Sequence, residues 1–181
     1  MKNRSRFGLI WFCIGLSSWS LAHQPWFNPG SPTRAQAYPI QQPNVSKVIT
    51  AEAKGGRDWY SLEVKAGFKL DVALFVGAPC AKEFKPRLYV VGPGLEGAAP
   101  FELPVGTGAL QLENAWGDFN GHGVVARRTP TLLRTLAAGR YDLVVDHGTS
   151  RGWYFISLGG DEAFGGSVDG RAALSRFNRC A

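Results

Sequence analysis

Three histidines, two cysteines beyond the N-terminal apolar run and one loop rich in oxygen donors are the residues here that could do chemistry. His23 follows Ser20-Leu21-Ala22, the small-residue end of an uncharged run. A chain cut after Ala22 would begin at His23, with a free α-amine beside an imidazole. That amine ordinarily has a pKa of about 7.7–8.0, so a metal can displace its proton near neutrality. Amine and imidazole nitrogens suit copper, and His122 or His147 would supply a further nitrogen. The competing reading is that processing leaves some residue first, and that His23 holds no metal. Cys13 lies inside the apolar run, so export leaves Cys80 and Cys180, an even pair for an oxidising compartment. Bridging them would close a loop of about 100 residues, worth roughly 4–5 kcal/mol in the chain-entropy picture. Two unpaired thiols or an intermolecular link are the alternatives.

Other motifs carry less. Asp118-Phe119-Asn120-Gly121-His122-Gly123 spaces oxygen donors like a calcium loop, but the twelfth position is Thr129, where a bidentate Glu is needed. It reads as a Gly/Asn turn between strands. Gly121 to Ala126 matches a loose dinucleotide fingerprint without the strand–turn–helix setting that gives it meaning. Asp146-His147 precedes Gly148-Thr149-Ser150, yet a Ser-His-Asp triad needs convergence from separate loops. A polar turn is the plainer reading. Gly165-Gly166-Ser167-Val168-Asp169 fails as a nucleophile elbow at its last place. Trp26, Trp59, Trp116 and Trp153 could form a sugar-stacking platform or simply pack the core. Arg127-Arg128 reads as a solvated pair.

The compartment follows from the N-terminus. Lys2, Arg4 and Arg6 precede 16 uncharged residues, Phe7 to Ala22, the pattern of a cleaved secretory signal and too short to span a bilayer. Cleavage after Ala22 lowers the formal charge from +6 to +3, with 17 basic against 14 acidic residues. So small and scattered a charge is no footprint for nucleic acid. No later apolar run reaches spanning length, so an exported periplasmic or extracellular protein is expected, without a membrane span after cleavage.

The elements that would position these residues are short strands. The chain has 181 residues, 45% of them hydrophobic, with 23 Gly and 11 Pro, a length for one domain and a composition rich in turns. Residues 23–43 hold five prolines with Trp26, Phe27, Tyr38 and Ile40, which predicts an extended arm packed across a domain. Val45 to Ala53 alternates imperfectly, and Lys54 to Asp58 has turn composition. Tyr60, Leu62 and Val64, then Leu70, Val72, Leu74 and Val76, alternate at period two about Ala66-Gly67, predicting a hairpin. Lys85 to Val91 and Ala109 to Glu113 give further strands. Thr131 to Leu136 and Tyr141 to Val145 predict a second hairpin, and Trp153 to Leu158 a last strand. A short helix is expected around 171–177. The whole predicts an all-β, antiparallel, jelly-roll-like sandwich of seven or eight short strands over residues 44–160, with residues 161–181 a docked tail.

Two segments carry a family resemblance: Asp58 to Leu74 with its central Ala66-Gly67, and Ala137-Ala138-Gly139-Arg140-Tyr141-Asp142-Leu143-Val144-Val145. They resemble the two hallmark strand pairs of bacterial pre-peptidase C-terminal domains, exported β-sandwiches often appended to secreted enzymes. The resemblance implies a stand-alone sandwich module and names no substrate. Separately, the N-terminal His23 is similar to the histidine brace of lytic polysaccharide monooxygenases and periplasmic copper carriers, although Gln24-Pro25-Trp26-Phe27 does not match the carriers. The expected function is a noncatalytic binding or accessory module, monomeric or weakly oligomeric. Its partner would be a small ligand, a glycan or an envelope protein. A copper protein using His23 with His122 or His147, or a small carbohydrate-binding module, are the alternatives.

Overall fold

In a computed structural model, residues 23–80, 82–121 and 123–177 are described. Among the described residues ten strands and one α-helix follow in order: β1 Gln24–Asn28, β2 Tyr38–Pro39, β3 Lys47–Val64, β4 Phe68–Gly77, β5 Arg87–Gly92, β6 Gly108–Gln111, β7 Gly117–Gly121, β8 Val124–Arg128, β9 Leu132–Leu136, β10 Gly139–Leu158 and α1 Val168–Arg176. The protein is all-β with a short C-terminal helix.

Two long strands organise it. β3 (18 residues) and β10 (20 residues) pair antiparallel from Gly139↔Val64 to Leu158↔Lys47, with register shifts around Gly148. Gly55, Gly56 and Gly148 take positive φ there (95°, 89° and 54°), the backbone that a bulge needs. Beyond the bulges the partners change. The first half of β10 pairs with β5, which carries β6, and β3 opposite it carries β2. The second half of β10 pairs with β4, which carries β8, β7 and β9, while β3 there carries β1.

Both halves bury side chains in one core. Period-two sets converge on it: Leu70, Val72, Leu74 and Val76 of β4, and Tyr141, Leu143 and Val145 of β10. The outer faces are covered as well, which is why several strands are buried on both sides. Phe177, after α1, packs with Phe75 and Phe155 over one half, and Phe101 packs on Trp59 and Tyr89 over the other. Ser167 caps α1 by accepting from Gly170 N–H at 2.9 Å.

Three expectations are corrected. The turn-like Lys54–Asp58 does not reverse the chain; its glycines bend one continuous strand, so two predicted strands fuse into β3, and likewise two into β10. The predicted hairpins are arches. β4 pairs with β9 and β10 rather than β3, and β9 pairs with β4 rather than β10. The tight turns carry the chain from one half to the other, so alternating apolar sets meet across the core instead of side by side. Nor is the sheet purely antiparallel, because β1 and β2, both from the proline-rich arm, run parallel to β3. They lie at its edges, where a missing proline N–H costs no ladder bond.

Candidate functional site

Asp58 sits inside the bend of β3 and is buried. Its Oδ1 accepts from Ser31 N–H at 3.0 Å, and its Oδ2 from Tyr154 O–H at 2.7 Å, with His147 Nε2 at 3.3 Å. Tyr60 and Tyr154 share a 2.9 Å hydroxyl contact. Burial pushes the Asp58 carboxyl upward. Hydrogen bonds from His147, Ser31 and Tyr154, with the charge on His147, outweigh that and hold it below the usual range. Burial drives both tyrosine hydroxyls well above their ordinary value, so they remain proton donors. The network also fixes the arm: Ser31 Oγ accepts from Asn28 Nδ2 at 2.8 Å and from Trp59 N–H at 3.1 Å. His147 is therefore a buried side chain tied to a carboxylate 89 positions away, not a polar turn at the surface.

His23 lies elsewhere. Its Nδ1 contacts Ser46 Oγ, just before β3, whereas His147 meets Asp58, eleven positions beyond Lys47. At about 3.3 Å per strand residue, that separation is on the order of 30 Å along the chain path. The structure does not bring His147 to His23, and among the described residues no group of three His, Cys, Asp or Glu side chains could hold a metal. His122 and Cys180 fall outside the described residues. Cys80 is disulfide-bonded, and its pairing with Cys180 stays an expectation.

His23 lines an open groove of about 560 Å³ on the outer face of the second half. Its floor is Ala73, Phe75 and Phe119, and its polar rim includes Asp71, Arg128 and Glu162. Phe119 meets Phe75 edge-on at 5.1 Å and takes the Arg128 guanidinium on its face at 5.6 Å. A second groove of about 460 Å³ shares Asp71, Leu133, Gly159 and Gly160 with it. Leu133 is 71% exposed between them.

The remaining candidates have ordinary roles. Asp118 is almost fully exposed and pairs with Arg127 at 3.0 Å, and β7 and β8 join there as a hairpin. Arg127 and Arg128 are accordingly not a solvated pair: one holds Asp118 and the Trp116 carbonyl, the other covers Phe119. Trp59 is buried, and Trp26, Trp116 and Trp153 are half-buried, the last stacked on Phe27 at 6.3 Å. Of the groove residues Asp71, Arg128 and Glu162, the sequence marked only Arg128, and that as half of a solvated pair, since nothing local marks three charges on different elements as neighbours.

No family model matches the chain, and no curated protein matches it. Among solved structures it is similar to PliG of Aeromonas hydrophila, a periplasmic inhibitor of g-type lysozyme, at 15% identity over 68% of this chain and 94% of that one, with a TM-score of 0.40. A likeness of that size decides neither fold nor partner. Among the described residues no helix is long and apolar enough to cross a membrane.

Proposed function

We propose that the protein is an exported, noncatalytic binding module, and that the groove beside His23 is its ligand face. The observation that carries this is the composition of the groove: an apolar, partly aromatic floor ringed by acceptors (Asp71, Glu162) and donors (Arg128, Ser157) of both charge signs. Such a surface suits a ligand that donates and accepts along its length while carrying little net charge, as an oligosaccharide does. The segments resembling pre-peptidase C-terminal domains lie on β3–β4 and on the first part of β10 with the turn before it, strands that frame the core, and we read the chain as a module of that kind. The secretory-signal pattern of residues 1–22 supports an exported protein, periplasmic or extracellular.

The test is a titration with neutral cell-envelope oligosaccharides, followed by amide chemical shifts. Binding should move the signals of Asp71, Phe119, Arg128 and Glu162, and Asp71→Ala with Glu162→Ala should weaken it at least tenfold. Shifts confined to the opposite half, around Phe101 and Tyr89, or unchanged affinity in the double variant would refute the assignment.

A further inference from the structure

A separate cavity of about 230 Å³ lies where the two halves of the protein meet at the edge formed by β1 and β2. Trp26 of β1 and Tyr38 of β2 wall it, with Pro39, Ile40 and Ile49 completing an apolar lining. The one cationic group in that lining is Lys47, which is only 5% exposed. Its Nζ donates to the carbonyls of Gln42 at 2.8 Å and Val45 at 3.3 Å. Among the described residues no carboxylate is within ion-pair distance of it.

That arrangement is costly. An ammonium removed from water and left without a counter-ion is among the least favourable groups a fold can hold. Burial accordingly pulls the Lys47 pKa below its ordinary value. The turn that supplies the carbonyls is itself strained, for Gln42 is the one non-glycine residue with positive φ (47°) among the described residues. A buried ammonium without a counter-ion, held by the turn at the rim of a cavity with two aromatic walls, is an arrangement that a small anion with an apolar body would complete.

We infer that this cavity binds a small carboxylate with an apolar or aromatic body, the carboxylate meeting Lys47 and the body filling the space between Trp26 and Tyr38. The valence of the ammonium narrows the anion. Of its three N–H groups two are already engaged by carbonyls, so one remains. A single donor flanked by two carbonyl oxygens matches a monoanion, whereas a phosphate dianion would want several donors and would be repelled more strongly by those oxygens. The volume limits the body to about one ring with a short chain, since drug-sized ligands occupy pockets of roughly 300 Å³ and more. This site shares no lining residue with the groove proposed as the ligand face, so the two assignments stand or fall separately.

The probe is 3-phenylpropionate, compared with 3-phenylpropanol, which keeps the ring and chain and lacks the charge. On the unaltered protein, tryptophan fluorescence and the amide signals of Trp26, Tyr38 and Lys47 should respond to the acid, with the alcohol at least tenfold weaker. Lys47→Met removes the charge while keeping the length, and should reduce acid affinity at least tenfold without loss of thermal stability; Lys47→Arg should retain binding. Equal affinity for acid and alcohol, no response to the acid at millimolar concentration, or unchanged binding in Lys47→Met would each overturn the inference. The acid–alcohol comparison needs no variant and so decides the matter even if a substitution disturbs folding.

Discussion

Replacing Asp58 by Asn tests the account of the buried network most directly. Three donors end on this carboxylate, at 2.7, 3.0 and 3.3 Å. Hydrogen bonds to a charged group contribute about 1.5–3 kcal/mol each, and the longest of the three belongs at or below the low end. Asn keeps the shape but turns one acceptor into a donor. Placed toward Ser31, its amide faces a backbone N–H; placed toward Tyr154 and His147, it faces two donors. The two tyrosines and the imidazole can reorient in part, so the expected loss is about 3 kcal/mol at pH 7 rather than the full sum. In a domain of this size that lowers Tm by about 6–12 °C. The pH dependence has a definite sign. Because the folded carboxyl is held below the unfolded value of about 3.9, its contribution is complete above that value and is lost as the pH falls through it toward the folded pKa. Urea unfolding of both proteins at pH 7, 5, 4 and 3 should therefore show a gap that is wide at neutrality and narrows only in the acid range. A gap under 1 kcal/mol at pH 7, or one that stays constant down to pH 3, would refute the reasoning.

Further outcomes follow from close packing and capping. A Cβ added at Gly92 would lie 2.1 Å from the buried Tyr141 ring, so Gly92→Ala should cost about 2–3 kcal/mol in chemical denaturation. Ser167→Ala removes the cap of α1 and should cost about 1 kcal/mol, with increased amide exchange confined to the first turn of the helix.

The alternation of apolar residues was legible because period two is a local property: Leu70, Val72, Leu74 and Val76 lie on the core side as their spacing requires. Partnership between strands was not. Ala66-Gly67 permits a tight reversal whether the flanking strands then pair or face one another, and the choice is made by bulges at Gly55-Gly56 and Gly148, which read locally as turns. The sites were hidden for the same reason. His147 looked like part of a polar loop because the residue that buries it, Asp58, lies in another strand. Lys47 carries no local mark in the sequence, because the turn at Gln42 and the ring of Trp26 close over it only after β1 has paired with β3.

The proline-rich arm is where these threads meet, and its removal makes a sharp prediction. Five prolines with four large apolar residues predict an extended arm packed on the domain, and the arm goes further, supplying β1, β2 and three specific contacts to the body. Ser31 N–H satisfies Asp58, and Arg34 Nε lies 2.6 Å from the buried Asp142, nearer than Arg140 at 3.4 Å. Trp26 and Tyr38 wall the Lys47 cavity. A chain beginning at Asn44 would leave one buried carboxylate without its backbone donor and another without its nearer cation, each costing about 1–3 kcal/mol. It would also uncover the β3 edge and the seat of α1, whose Gly170 is packed so tightly on β1 that a Cβ there would lie 2.2 Å from the Pro25 carbonyl. Those losses together are comparable with the roughly 5–15 kcal/mol that hold an ordinary domain folded. Residues 44–181 alone should therefore lack a cooperative thermal transition by circular dichroism, and adding residues 23–43 as a separate peptide should restore one. A truncated chain that melts cooperatively within a few degrees of the intact protein would show instead that the arm only decorates a self-sufficient core.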